Sequence, residues 1–481
     1  MSDHDTQWRE LVFPANYRNP VASGRYNLIV IGAGPAGLIT SIAAAGLGAR
    51  VALIERHAMG GDCLNVGCIP SKTLLAAASA RLDFDAAMQR VRAVRNAIAH
   101  HDSVERYTTA GVDVYLGSAS FVDPHRIRVG EQTLEARRTV IATGARAAMP
   151  PIPGLEAIGA RTNETIFDMP QRPARLAVLG AGPIGCELAQ AFAGLGVEVH
   201  LIEMQPRVLP IEDEDAARIV EAALQRGGVR LHLGRSVTAA TRENGISTLA
   251  LDDGATLAVD EVLVAVGRRR NLEGLNLEQA GVRWDPRAGI LVDAQLRSSH
   301  PHIFAAGDVC SKLQFTHHAD AQARIVIRNA LFMGRARADR LLVPWCTYTH
   351  PEVAHVGATR RELDAAGAPH DVLRINFADL DRGRTDDVGE SHAGEGYAEV
   401  LVRRGSDQLL GATIVGLDAG EQLAPLLVMM NAKLGLGSLG SLVLPYPTRS
   451  EYLRRLADAW NRQRLTPRTA ALLAGWLRWR R

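Results

Sequence analysis

Residues 28–55 read LIVIGAGPAGLITSIAAAGLGARVALIE, and residues 176–203 read LAVLGAGPIGCELAQAFAGLGVEVHLIE; the two align without a gap. Each copy runs from a short apolar strand through a Gly-rich turn into a small-residue helix that ends at Gly. A second β-branched strand follows and closes on an acid, which together describes a βαβ unit. Gly32, Gly34 and Gly37 correspond to Gly180, Gly182 and Gly185, and Glu55 corresponds to Glu203. Glycines at this spacing let the backbone turn tightly and approach a pyrophosphate, whose charge is met by the helix N-terminus. The acid at the end of the second strand binds a ribose hydroxyl. A single such turn also fits an unrelated strand-to-helix connection, but two copies with matched acids argue for two bound dinucleotides.

Around this repeat, 481 residues correspond to roughly three domains at about 150 residues each. Lys and Arg total 54 against 52 Asp and Glu, so no global field attracts nucleic acid or a membrane surface. Five cysteines are too few for a disulfide scaffold and leave at least one thiol unpaired, which points to a reducing, cytoplasmic setting. Residues 1–20 are polar with no secretion signal, and the apolar stretches near 28–53 and 423–445 are interrupted by Gly, Pro or Lys. No membrane span is expected, and membrane association is not favoured. Between the repeats, 111–121 and 139–144 read as strands, and Pro150, Pro151, Pro153 and Gly154 mark a break. Residues 262–267 and 303–308 read as further Gly-terminated strands, with Arg268, Arg269 and Arg270 as a solvated or phosphate-side loop. From Val343 the pattern changes to alternating strands at 397–402 and 410–415 and a charged amphipathic helix at 450–464, which reads as an α+β domain.

Residues 60–75, GGDCLNVGCIPSKTLL, carry the reactive chemistry. On a regular helix the five steps from Cys63 to Cys68 rise about 7.5 Å, beyond the roughly 7 Å that a disulfide spans. A bridge here requires a distorted entry turn, which Gly67 can provide. Cys68 then opens a helix whose first turn tolerates Pro70, and a helix N-terminus favours a thiolate. Two buried, unpaired thiols are the alternative reading. No second Cys or His pair stands at zinc-ligand spacing, so no metal site is expected.

GGDCLNVGCIPSK, the paired fingerprints, IATGA at 141–145, AAGDV at 305–309 and YTHPEVAHVG at 348–357 occur in this order between about residues 26 and 464. Together they resemble the class I pyridine nucleotide-disulfide oxidoreductases, which include dihydrolipoamide dehydrogenase, glutathione reductase and mercuric reductase. The resemblance implies an α/β fold of two Rossmann-like βαβ nucleotide-binding domains plus a C-terminal α+β dimerisation domain. Its divisions are an extension at 1–24, an FAD-binding domain at 25–165 and 289–341, an NAD(P)-binding domain at 166–288, an interface domain at 342–464 and a basic, Trp-containing tail at 465–481. FAD is expected at Gly32, Gly34, Gly37, Glu55, Gly61, Lys72, Thr143, Gly144, Asp308 and Ala319. NAD(P)H is expected at Gly180, Gly182, Gly185, Glu203 and Gly267. The resemblance makes Cys63–Cys68 a redox-active disulfide, with Cys68 as the flavin-facing thiolate and Cys63 as the thiol that attacks the acceptor. It also places Lys72 beside the isoalloxazine, paired with Glu187, and makes the protein a homodimer. A carboxylate at Glu203 accepts from a free ribose 2′-hydroxyl and repels a 2′-phosphate, so NADH is favoured, with NADPH possible because Arg207 is near.

One departure bears on the acceptor. Many disulfide reductases place a His-Pro base near the C-terminus, with an orienting Glu five residues after the His; here Tyr446 stands at the His position and Glu451 is retained. A phenol of pKa near 10 is a poorer base than an imidazole near 6.5. This points away from dihydrolipoamide or glutathione and towards a metal ion such as Hg(II) or another small acceptor. Mercuric reductase also has Tyr in this region, but its C-terminal cysteine pair has no counterpart in GWLRWRR at 475–481, and its N-terminal metal-binding domain has none either. The reading is an FAD-dependent NAD(P)H oxidoreductase acting through Cys63 and Cys68; a dihydrolipoamide dehydrogenase, or a flavin-bound redox sensor with little turnover, are the alternatives. Cys186 and Cys310 read as packing residues, Cys346 as a buried strand thiol, and His317 and His318 as backbone-contact neighbours rather than metal ligands. The tail, with Trp476 and Trp479 among Arg478, Arg480 and Arg481, is expected to dock on the protein's own dimer.

Overall fold

A computed structural model describes residues 3–388 and 392–481. The strand Arg25–Ile31 pairs in parallel with Val51–Glu55 on one side and Gln132–Ile141 on the other. Leu28, Ile29 and Val30 are all fully buried, as expected of a central parallel strand covered on both faces. The helix Pro35–Gly46 between these strands opens on a proline whose missing N–H has no partner in a first turn anyway, and it buries Ala36, Leu38 and Ala44. Val112–Leu116 extends the sheet beyond Val51–Glu55, and Ile303–Ala305 joins Gln132–Ile141 in parallel. The antiparallel strands Ala119–Asp123 and Arg126–Val129 complete seven.

The second repeat contributes a four-stranded parallel sheet in the order Arg230–Leu233, Glu198–Glu203, Arg175–Leu179, Glu261–Val264. A three-stranded antiparallel sheet, Val237–Glu243, Ile246–Leu251 and Thr256–Val259, shares its core: Ala240, Leu249 and Val259 pack with Ala177, Leu179 and Val264. Two expectations change in detail. The strand read across 111–121 is broken where Gly117 adopts φ +150, so it becomes two. The arginine triplet is not a loop: Arg268–Arg270 pairs antiparallel with Ala145–Ala147.

The C-terminal region forms a five-stranded antiparallel sheet in the order Trp345–Thr347, Glu352–Gly357, Leu409–Gly416, Tyr397–Arg403, His370–Asn376. The helix Glu451–Arg464 buries Tyr452, Leu453, Leu456 and Ala457 in the same core. Helices outside the elements read from sequence include Asp3–Val12, Phe84–Ala99, Glu214–Arg226, Thr316–Leu331 and Pro467–Trp479. By compactness the chain divides into two units. One comprises Met1–Ala181, Leu188–Met204 and Gly228–Leu341; the other comprises Gly182–Glu187, Gln205–Gly227 and Leu342–Arg481. Among the described residues, no helix is long and apolar enough to cross a membrane.

Candidate active site

The two Gly-rich turns reproduce the same hydrogen bonds. The N–H of Gly32 donates to the carbonyl of Ile54, and that of Gly180 to Ile202, both at 2.8 Å. The N–H of Ala33 donates to Glu55 Oε2, and that of Ala181 to Glu203 Oε2, both at 2.7 Å. Each acid therefore braces the turn that precedes its helix. Glu55 also accepts from the N–H of His57 at 2.7 Å. Burial pushes its carboxyl pKa up, and these backbone donors hold it back.

Gly32 and Gly180 adopt φ +103 and +98, and a Cβ on either would lie 2.4 or 2.7 Å from the carbonyl oxygen of Ala142 or Ala265. A Cβ on Gly37 would fall 1.8 Å from the carbonyl oxygen of Gly32, so close helix–strand packing demands this glycine. Gly182 differs, because a Cβ there would meet nothing within 4 Å. Protein packing therefore does not explain that glycine, which immediately precedes the helix Pro183–Gly194. Gly185 lies inside this helix. Gly61, at φ +60, backs directly onto Gly34, whose Cα a Cβ would approach to 2.6 Å.

Thr143 and Gly144 are held by Asn271. Thr143 Oγ1 donates to the Asn271 carbonyl at 2.7 Å, Asn271 Nδ2 returns a bond to the Thr143 carbonyl at 2.9 Å, and the Asn271 N–H reaches the Gly144 carbonyl at 3.0 Å. Gly267, at φ +137, accepts at its carbonyl from the Ala148 N–H. The Gly307–Asp308 turn joins three elements, since a Cβ on Gly307 would lie 3.3 Å from that of Ala36 and 3.5 Å from that of Ala319. Burial raises the Asp308 carboxyl, and Arg268 opposes this with Nε 3.6 Å from Oδ2. Arg268 also donates to Asp62 Oδ2 at 3.0 Å and to the Ala145 carbonyl at 2.7 Å. The first arginine of the triplet is thus half-buried between two acids and lies in a strand, which corrects the reading of 268–270 as a solvated or phosphate-side loop. Its partners lie at 62 and 308, too far away in sequence to suggest the pairing.

The cysteine segment splits as its spacing requires. The helix Gly61–Asn65 ends after Cys63, and Cys68 opens the helix Cys68–Ser79. Gly67 makes the join, where a Cβ would press to 2.9 Å on the Asp62 carbonyl oxygen. Both cysteines are thiols here, hydrogen-bonded to each other. The bond from Cys63 lowers the Cys68 pKa below the ordinary thiol range; the Thr316 hydroxyl and the Lys72 charge add to this, against burial. The same contact and burial push Cys63 up. Cys68 Sγ lies 3.5 Å from Thr316 Oγ1, the first residue of the helix Thr316–Leu331, so two helix N-termini meet at this sulfur.

Sequence reasoning missed Thr316, Asp62 and the bracing of Asn65. Asn65 Nδ2 donates to the carbonyls of Gly61 at 2.8 Å and Met59 at 3.1 Å, and its Oδ1 accepts from the Trp8 indole N–H at 2.9 Å. Arg95 stacks on Trp8, 4.2 Å from the ring centre, and donates to Asp5 at 2.8 Å. The N-terminal helix Asp3–Val12 thereby straps the turn that carries Cys63.

Glu187, 3% exposed, accepts from the N–H of Tyr348 at 2.9 Å; Lys72 and Glu187 fall in different units. Tyr446 is 73% exposed, and its hydroxyl donates to Asp381 Oδ2 at 2.7 Å, a bond that pushes the phenol pKa up. Glu451, the retained acid, lies at the start of the helix Glu451–Arg464. Its Oε1 accepts from Arg455 Nε at 3.0 Å, one turn along its own helix. His318 Nδ1 contacts the Leu313 carbonyl at 2.9 Å, and His317 stacks on Phe315. Cys186 is fully buried; Cys310 and Cys346 are half-buried against hydrophobic cores.

A family model for pyridine nucleotide-disulphide oxidoreductases matches residues 26–323, and one for their dimerisation domain matches 343–457. Mercuric reductase of Staphylococcus aureus is 31% identical over 455 residues, covering 90% of this chain and 82% of its own. Dihydrolipoyl dehydrogenase 3 of Pseudomonas aeruginosa is 36% identical over 464 residues, covering 90% and 97%. The solved Cu(II) complex of HOCl-induced flavoprotein disulfide reductase RclA from Escherichia coli matches with a TM-score of 0.83 at 31% identity, over 91% of this chain and all of that one. The chain belongs to the pyridine nucleotide-disulphide oxidoreductases, FAD-dependent enzymes that use NAD(P)H, and it carries that family's dimerisation domain.

Proposed function

We propose that this enzyme oxidises NADH in preference to NADPH and passes the electron pair through Cys63 and Cys68 to a small acceptor, foremost a metal ion such as Hg(II). Bound FAD supplies the two-electron relay between nicotinamide and cysteines. Gly32, Gly34, Gly37 and Glu55 would hold its adenosine diphosphate half, and Asp308 would serve the ribityl chain. The empty space at Gly182 and the carboxylate of Glu203 serve the nicotinamide dinucleotide, with Glu203 selecting against a 2′-phosphate. Cys68, its pKa lowered by Cys63, Thr316 and Lys72, is the charge-bearing sulfur, and Cys63 is the thiol that meets the acceptor. As the disulfide forms, the Cys63 thiol and the Cys68 thiolate release two electrons and one proton, and Hg(II) takes both electrons to become Hg(0).

The observation that carries this reading is Tyr446. A phenol that donates its proton to Asp381 and has a raised pKa is a poor base for a thiol substrate. The Cu(II) complexes of RclA support a metal-ion acceptor by analogy. Relatives that are dihydrolipoyl dehydrogenases at 34% and 36% identity favour the second reading, a lipoamide enzyme. Anaerobic reoxidation of NADH-reduced enzyme separates the two, with Hg(II), Cu(II), lipoamide, glutathione disulfide and quinones compared as acceptors. The expected result is reoxidation by metal ions about ten-fold or more faster than by lipoamide or glutathione disulfide, a rate ratio worth about 1.4 kcal/mol, and lost in Cys63→Ser. Fast lipoamide turnover, lost in Cys63→Ser and unchanged in Tyr446→Phe, overturns the metal reading. Negligible NADH-to-dye turnover marks a redox sensor instead.

A further inference from the structure

The helix Pro467–Trp479 follows the dimerisation domain, whose family match ends at residue 457. None of its residues is buried, and Leu472, Trp476 and Trp479 are 74%, 54% and 76% exposed. These apolar side chains are not scattered. At helical spacing Leu472, Leu473, Trp476 and Trp479 share one face, and the rings of Trp476 and Trp479 lie 5.2 Å apart. Arg478 projects from the opposite side, Arg464 and Arg468 stand before the apolar face, and Arg480 and Arg481 stand after it. From 464 to the end of the sequence there are five arginines and no acid, while the other residues carry 49 basic against 52 acidic side chains. The chain's net positive charge therefore comes from its last 18 residues, in and around one exposed Leu/Trp helix.

We propose that the helix Pro467–Trp479 is a peripheral membrane anchor that lays its Leu/Trp face into the headgroup region of an anionic bilayer. An amphipathic helix with Trp and Leu on one side and arginine on the other and at its ends suits the interface plane, where tryptophan sits at headgroup level and arginine meets lipid phosphate. At 13 residues it is well short of the roughly 20 needed to span. Its Thr466 cap, whose side chain accepts from the Thr469 N–H, and Pro467 at the first turn make it a separate element from the helix Glu451–Arg464. Charge favours lipid over the docking on a second copy expected from the sequence: the same helix of a symmetry mate repels the five arginines and the rest of a partner, with 49 basic against 52 acidic side chains, attracts them only weakly, whereas an anionic surface attracts all five.

The test is co-sedimentation of the flavin-loaded, full-length protein with vesicles of phosphatidylglycerol and phosphatidylcholine, against phosphatidylcholine alone. Binding is expected to the anionic vesicles and to fall steeply at high salt. The triple variant Leu472→Ser, Trp476→Ser, Trp479→Ser is expected to lower the bound fraction at least ten-fold with NADH-to-dye activity unchanged. Failure of the wild type to sediment, equal binding to phosphatidylcholine alone, or equal binding of the triple variant overturns the proposal. Conversion of a dimer to a monomer by the triple variant also overturns it, because the face is then covered by a second copy.

Discussion

At Cys68 the sulfur begins its own helix and stands 3.5 Å from the hydroxyl at the start of another. Both helix ends and that hydroxyl favour the thiolate. Thr316→Val removes a donor while keeping shape, so the Cys68 pKa rises and less thiolate is present at a given pH. The long-wavelength absorbance of NADH-reduced enzyme should then appear at a higher pH midpoint than in wild type, as read in an anaerobic pH titration; an unmoved midpoint removes Thr316 from the account. Glu212 shows the opposite sign. It is buried, accepts from the Trp345 indole N–H at 2.7 Å, and burial pushes its carboxyl up to about 7. The folded state therefore holds this proton more tightly than the unfolded chain, so stability falls as pH rises from about 4.5 to 7 and stays lower above. Glu212→Gln keeps an acceptor for Trp345 without the buried charge. It should raise the melting temperature at pH 8 by several degrees, at about 2–4 °C per kcal/mol, and leave it unchanged at pH 5. At this scale the sequence disclosed the Cys pair and the role of Gly67, because both are local. Thr316, Asp62 and Arg268 were invisible because their partners lie 40 to 248 residues away.

Among the elements, the duplicated βαβ unit was readable almost entirely, since strand, turn, helix and acid are dictated within 28 residues. What the structure adds is the distinction between glycines that packing requires and glycines that leave room. Gly37→Ala drives a methyl to 1.8 Å from the carbonyl oxygen of Gly32 and should yield protein without bound flavin, as judged by the visible spectrum. Gly182→Ala meets no protein atom within 4 Å. It should fold and bind flavin normally yet raise the KM for NADH by about ten-fold, the cost of roughly 1.4 kcal/mol of displaced pyrophosphate contact. An unchanged KM would show that the space at Gly182 does not belong to the nucleotide. The arginine strand 268–270 and the N-terminal helix escaped the sequence because tertiary contacts, not propensity, fix them. Trp8 makes sense only beside Asn65 and Arg95.

In the whole molecule, two of the stretches that expose apolar side chains have different meanings. Val428, Leu442, Val443 and Tyr446 are 64%, 40%, 97% and 73% exposed in the single chain, and all four lie within the matched dimerisation domain. Exposed apolar side chains in a domain that matches a dimerisation model mark a candidate subunit surface. The apolar face of the C-terminal helix lies beyond that domain, so the two surfaces can be separated by mutation. Val443→Asp places a charge where the subunits should meet, and an unpaired charge buried there costs several kcal/mol. The variant should run as a monomer by light scattering at micromolar concentration, where the wild type runs as a dimer. It should retain flavin, because the residues proposed to hold FAD lie in the other compact unit. Its turnover should fall sharply if the acceptor site needs Tyr446 from a neighbouring chain. A variant that stays dimeric with full turnover would move the subunit contact away from Val443, and would place Tyr446 on a surface that plays no part in assembly.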